Sequence, residues 1–264
     1  MAPLERTRTT SSSRQRYTPT TRTGSNSNPQ FMPDHMFVSF SGTNELRVHN
    51  VAFQDTLDVL REHVIPMWPH GVTTHSLAAH SWRVTFARNP WSASGQEGII
   101  AQQMVCELFA RLSHQGYQYL TSVNAGSSCG QLIFQDSQAD ENADFFVANF
   151  SSSGRRMTLV KPPRRIGEQI GARLRSAWPH KIAADRSSEQ NIYTVELKRN
   201  SFGGPELDTN VFAAAALQEI NFMGYKLEAT VSFSRSSMWG FGGKKELWVF
   251  RGSKRSRPES RSGK

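Results

Sequence analysis

Cysteine is scarce. Cys106 and Cys129 are the two in 264 residues, which excludes a disulfide framework or a thiolate zinc cage and leaves room for one bridge at most. Nowhere do roughly 18 apolar residues run together, the minimum for a membrane span. The start, MAPLERTRTT, has no apolar segment to serve as a signal-peptide core. Its Arg, Ser and Thr content suits a mitochondrial presequence, yet beyond Leu4 and Tyr17 nothing could form the apolar face such a helix needs. Cytosol or nucleus is therefore the expected compartment, with neither secretion nor a membrane partner. Gly-x-Ser-x-Gly, Gly-x-x-x-x-Gly-Lys-Ser/Thr and Gly-x-Gly-x-x-Gly are all missing, so no catalytic residue and no cofactor is expected from motifs.

Charge is present in excess, but unevenly placed. The formal net charge is +9. Residues 1–30 carry five Arg against Glu5, and residues 251–264 carry six Lys or Arg against Glu259. Those two segments sum to +9, and 31–250 sums to zero. Both ends have almost nothing to bury and read as disordered basic tails, because such composition cannot offset its ordering entropy. Within the body, 31–144 holds 5 basic and 11 acidic residues, whereas 145–250 holds 15 and 9.

The body reads as a duplication. Trp68-Pro69-His70 and Trp178-Pro179-His180 lie 110 positions apart. Phe37-Val38-Ser39-Phe40-Ser41 answers Phe146 to Ser151, Trp82 to Trp91 answers Tyr193 to Phe202, and Gly116-Tyr117 answers Gly224-Tyr225. A period this long marks a duplicated domain and not a solenoid. The expected organisation is repeat 1 over 31–144 and repeat 2 over 145–250, each an α+β module of order β-β-α-β-α-β-β. Its sheet is mostly antiparallel, with two helices on one face.

Apolar spacing places the helices. Phe53, Leu57, Leu60 and Val64 form one stripe, and Ile166, Ile170, Leu174 and Trp178 its counterpart. Ile100, Met104, Leu108 and Leu112 form the longer second helix, with Ser94 and Glu97 at capping-box spacing. Val211, Phe212, Ala215, Ala216 and Ile220 form the last.

The succession of Phe-x-x-Phe-Ser, Trp-Pro-His-Gly and Arg-Asn-Pro-Trp resembles a group of uncharacterised fungal proteins in which a similar segment occurs once or more per chain. The likeness covers residues 36–135 well and 145–251 more loosely. Tyr117 and Tyr225 stand where the pattern has Trp, and Phe202 replaces the second Trp. The resemblance implies the fold and brings no activity, cofactor or site.

Candidate chemistry is thin. His63, His70, His75 and His80 crowd into 18 positions, but the spacing of five among the last three does not share a helix face, and Gly71 to Thr74 reads as loop. With no cysteine ligand nearby, no metal is expected. The acids Asp136, Asp140, Glu141 and Asp144 read as a solvated linker. The glycine-rich stretch from Trp239 to Lys245 lies between two strands and reads as a hairpin loop.

Basic residues are more informative. Arg155, Arg156, Lys161, Arg164, Arg165, Arg173, Arg175, Lys181 and Arg186 face Glu168 and Asp185 over one stretch, and Lys254, Arg255 and Arg257 follow in the tail. Together they are the candidate polyanion site, whose contacts would be sequence-independent and salt-sensitive. The alternative is that this face docks on acidic repeat 1. The expected function is a non-enzymatic interaction module for a protein or nucleic-acid partner, with basic tails adding nonspecific affinity. Two alternatives stay open: nucleic-acid binding by the basic face of repeat 2, and an enzyme or small-ligand binder with a pocket between the copies.

Overall fold

The computed structural model describes residues 35–51, 53–78, 81–124, 130–188, 190–200, 205–233 and 245–254. Cys129, residues 239–244, Arg255, Arg257 and the tail 1–30 lie outside them.

The first copy runs β1 (His35–Ser41), β2 (Glu45–His49), α1 (Gln54–His63), β3 (Val72–Ala78), β4 (Ser81–Phe86), α2 (Gly95–His114), β5 (Tyr117–Val123) and β6 (Gln131–Asp136). The second runs β7 (Ala143–Phe150), β8 (Arg156–Val160), α3 (Arg164–Ala177), β9 (Ile182–Ser188), β10 (Ile192–Leu197), α4 (Thr209–Phe222), β11 (Lys226–Phe233) and β12 (Lys245–Ser253). Each copy folds one six-stranded antiparallel sheet, in the orders β3-β4-β2-β1-β6-β5 and β9-β10-β8-β7-β12-β11. The two orders are identical when the strands are matched one to one, so the fold is the expected tandem α+β duplication.

Irregularities repeat as well. The register shift between Tyr119 and Thr121 on β5 recurs between Leu227 and Ala229 on β11. Left-handed glycines recur at the hairpin tips, Gly42 and Gly154, and after the second helix of each copy, Gly116 and Gly224, where only a residue without Cβ sits at no cost. Gly71 N–H donates to the Trp68 carbonyl at 3.1 Å, and Lys181 N–H to the Trp178 carbonyl at 3.1 Å. Bulges of this kind are inherited features of a fold.

The structure adds one strand to each copy beyond the β-β-α-β-α-β-β order. In the first it is β3, the segment read as loop around Gly71 to Thr74. Every residue of β3 is exposed, so no alternation betrays it. At the other end, β12 continues through Ser253, which makes Arg251 a strand residue instead of the first of a tail.

Four layers result. On the first sheet Met36, Val38, Phe40, Leu46, Val48, Trp82, Val84, Phe86, Leu132 and Phe134 line one face and are buried under α1 and α2. On the second, Phe146, Ala148, Met157, Leu159, Val195 and Phe250 pack under α3 and α4. The opposite face of the second sheet, with Phe145, Val147, Val160, Leu247 and Val249, is buried in the first copy's core, against α2. That helix is therefore apolar on two sides. Val105, Cys106, Leu108, Phe109 and Leu112 are all buried, while α4 buries only Phe212, Ala216 and Ile220. Val211, expected in the α4 stripe, is 47% exposed.

Matching positions by register shows what changed between the copies. His35, His49, Ser81 and Gln131 on the open face of the first sheet correspond to Phe145, Val160, Ile192 and Leu247 on the covered face of the second. At these four positions the same backbone carries polar side chains on the open face and apolar ones on the covered face.

Candidate functional site

The nine basic residues from Arg155 to Arg186 do not form one open positive face. Arg155 pairs with Glu196 at 2.6 Å and donates to the Leu197 carbonyl at 3.0 Å. Arg165 donates to the Met223 carbonyl, closing the C-terminus of α4. Arg173 pairs with Glu219 at 3.2 Å, Arg175 with Asp185, and Lys181 with Glu206 at 2.7 Å. The first two of these pairs tie α3 to α4 and to β9, the third ties the turn before β9 to the segment before α4, and their charge is internally matched. Arg164 pairs with Glu168, but at 88% exposure the pair contributes little and leaves the guanidinium open to solvent. Among the described residues Arg156, Arg186 and Lys254 make no ion pair.

Docking of this face on acidic repeat 1 is not how the copies meet. Their interface is apolar, built from α2 and the covered face of the second sheet. Phe40 and Trp91 of the first copy meet Phe233 of the second. From the basic set only Lys161 reaches across, its Nζ 3.8 Å from Glu107.

That reach marks a cleft of about 560 Å³ between the copies. One wall is the exposed edge of α2, with Glu107, Arg111 and His114. The other consists of the start of β7, the segment from Lys161 to Arg164 that leads into α3, and Asn191 in the β9–β10 turn, with Lys254 at the rim. The local folding is well braced. Lys161 N–H donates to the Asn191 carbonyl at 3.0 Å, and the Asn191 side chain donates to the Pro162 carbonyl at 3.2 Å. Pro162 and Pro163 lead into the helix, where a missing N–H costs nothing.

Within the cleft the carboxylates are already engaged. Glu107 accepts from Arg111 Nε at 2.7 Å and faces Lys161. Asp144 accepts the Tyr225 hydroxyl at 2.7 Å, and burial together with that carboxylate pushes the phenol well above its ordinary range. Cys106 lies behind the wall. Burial pushes its thiol up to about 12, and it donates to the Phe145 carbonyl at 3.3 Å. It is no nucleophile in that state.

The other sequence candidates resolve simply. Glu97 does not close a capping box with Ser94, which makes no side-chain cap bond. It instead accepts from His70 at 2.7 Å, and that bond, with Arg88 nearby, holds its carboxyl below the usual range. His70 is thus a partner of a carboxylate, edge-on to Trp68 at 5.4 Å. No group of metal-ligating side chains occurs among the described residues. The acids from Asp136 to Asp144 are not a loose linker. Asp140 bonds to Arg251 at 2.9 Å, which holds its carboxyl low, and Asp144 lies within β7.

A protein-family profile for an uncharacterised domain matches residues 34–141. That span coincides with the first copy. No curated protein and no solved structure matches the chain. No helix among the described residues is long and apolar enough to cross a membrane.

Sequence reasoning named Lys161, Arg164 and Lys254 but not their neighbours Glu107, Arg111 and His114. Those three follow one another on α2 at steps of four and three. A polar strip along a helix otherwise apolar on two sides was the signal that could have found them.

Proposed function

We propose that this chain is a non-enzymatic binding module for a polyanionic macromolecule, a nucleic-acid phosphate backbone, with a rigid two-copy body and basic tails that supply the affinity. The observation that carries this reading is the pairing of charge. Six of the nine basic side chains from Arg155 to Arg186 pair with carboxylates inside the fold, whereas the net positive charge of the sequence lies in 1–30 and from Arg251 onward. Matched charges have little left to offer a phosphate, and unmatched ones release counterions when they meet one. The run Ser253 to Pro258, with Lys254, Arg255 and Arg257, also has the composition of a nuclear import signal, which would bring the chain to such a partner.

Titration of a fluorescent oligonucleotide across salt, with the full chain, tests this. Replacing Arg6, Arg8, Arg14, Arg16, Arg22, Arg255, Arg257 and Arg261 by Gln should flatten the dependence of log K on log salt, by about 0.9 for each phosphate no longer neutralised. An unchanged slope would refute the reading. Weakened binding produced instead by Arg156→Gln with Arg186→Gln would move the phosphate-binding surface to the folded body of the second copy.

A further inference from the structure

We infer that the cleft between the copies binds a small organic phosphate, a phosphate monoester, through Lys161 and Arg164. This site is separate from the tail contacts proposed above. Four Lys or Arg line the cleft, Arg111, Lys161, Arg164 and Lys254, against two carboxylates, Glu107 and Asp144. They come from α2, the β8–α3 junction and the end of β12, segments far apart in the chain. Glu107 and Asp144 each accept from a protein donor. Lys161 is held only by a long 3.8 Å approach to Glu107, Arg164 only by a solvent-exposed pair with Glu168, and Lys254 by no ion pair among the described residues, so the cleft keeps a surplus of loosely held positive charge. The volume, about 560 Å³, suits a ligand larger than an inorganic ion.

Lys161 itself shows how the protein presents that charge. Its backbone is left-handed, φ 55°, a region that lysine rarely occupies. The register-matched position of the first copy, also left-handed, holds Asn50, a residue that tolerates it better. In the second copy this unfavourable backbone carries a long cation into the cleft beside Arg164. A phosphate dianion fits this arrangement because charge-assisted bonds from Lys and Arg are the strong ones, and the neighbouring start of α3 favours negative charge.

The test is calorimetric titration of the full chain with phenyl phosphate and, separately, with inorganic phosphate. One saturable site is expected, tighter for the ester. The double variant Lys161→Asn, Arg164→Gln should weaken it by at least about tenfold; Asn at 161 keeps the left-handed backbone, and an unchanged thermal melt shows that the fold survives. Arg186→Gln, away from the cleft, should leave binding as it was. The inference is overturned by the absence of saturable binding, by equal weakening with Arg186→Gln, or by weakening in the tail-neutralised chain. Because oligonucleotide binding is read separately, either proposal can fail alone.

Discussion

The indole of Trp91 lies flat on the ring of Phe233, centroids 5.5 Å apart and planes 8° from parallel. One ring belongs to each copy, and Phe40 meets both edge-on. The two halves therefore share a single core at this point, in addition to the α2 layer between the sheets.

Phe233→Ala should cost about 3–5 kcal/mol, since a buried aromatic is removed and its stacking partner is left beside a void. Denaturant unfolding followed by tryptophan fluorescence and by far-UV circular dichroism should give one coincident transition at lower midpoint. Two separated transitions would contradict the shared core.

Gly167 and Gly171 on α3 are places where the helix must come close to its own sheet. A Cβ at Gly167 would overlap the Tyr193 ring, and one at Gly171 the Asp185 side chain. Alanine gains about 1 kcal/mol of helix propensity over glycine, but forcing a methyl into packed side chains costs about 1–3 kcal/mol. The Tyr193 ring packs against the second core, so Gly167→Ala should lower the melting temperature. A raised melting temperature would show that Tyr193 has room to swing away.

Thiol chemistry gives a sharper reading. With Cys129→Ser introduced, the native chain at pH 8 should resist an aromatic disulfide reagent, because the Cys106 thiol is buried and shifted to about 12. Full labelling should appear on adding denaturant. Rapid stoichiometric labelling of the native protein would contradict the placement of Cys106 between α2 and β7.

His49 should make stability fall on mild acidification. Burial first, and then Arg47 and Arg83, hold its imidazole below the ordinary 6.5. As pH drops through that value the unfolded chain takes up a proton that the folded chain refuses, so the unfolded state gains until the folded imidazole is protonated too. His49→Gln should flatten the pH dependence of the unfolding midpoint just below pH 6.5. A slope identical to the parent's would exclude His49 as its source.

The duplication was legible because large aromatics and glycines at forced turns survive divergence: Trp68 and Trp178, Gly116 and Gly224. The apolar stripes of α1, α2 and α3 were legible for the ordinary reason that one helix face must leave water. β3 was not, since an edge strand exposed along its whole length needs no apolar residue to hold its place. The double burial of the second sheet was written in runs such as Phe145 to Ala148 and Leu247 to Phe250, which fill both faces without alternating. Reading each module as having one face to cover hid that signal. A pocket between the copies stood open as an alternative, but which residues wall it was not legible, because Glu107 and Lys161 meet only once α2 is laid across β7 and β8.

Laying the helices of one module on the sheet of the next is a head-to-tail relation; repeated between molecules, such relations build rings when the rotation closes and fibres when it does not. This chain carries half of what growth requires, since Val211 and Phe222 on the trailing helix are 47% and 70% exposed. The leading sheet withholds the other half: Glu45 binds Arg47 at 2.7 Å and Arg83 at 2.8 Å across the surface on which a third layer of helices would have to settle. That small cluster of ions keeps the open face of the first sheet hydrated, where aliphatic residues would offer the trailing helix of another molecule a surface to settle on.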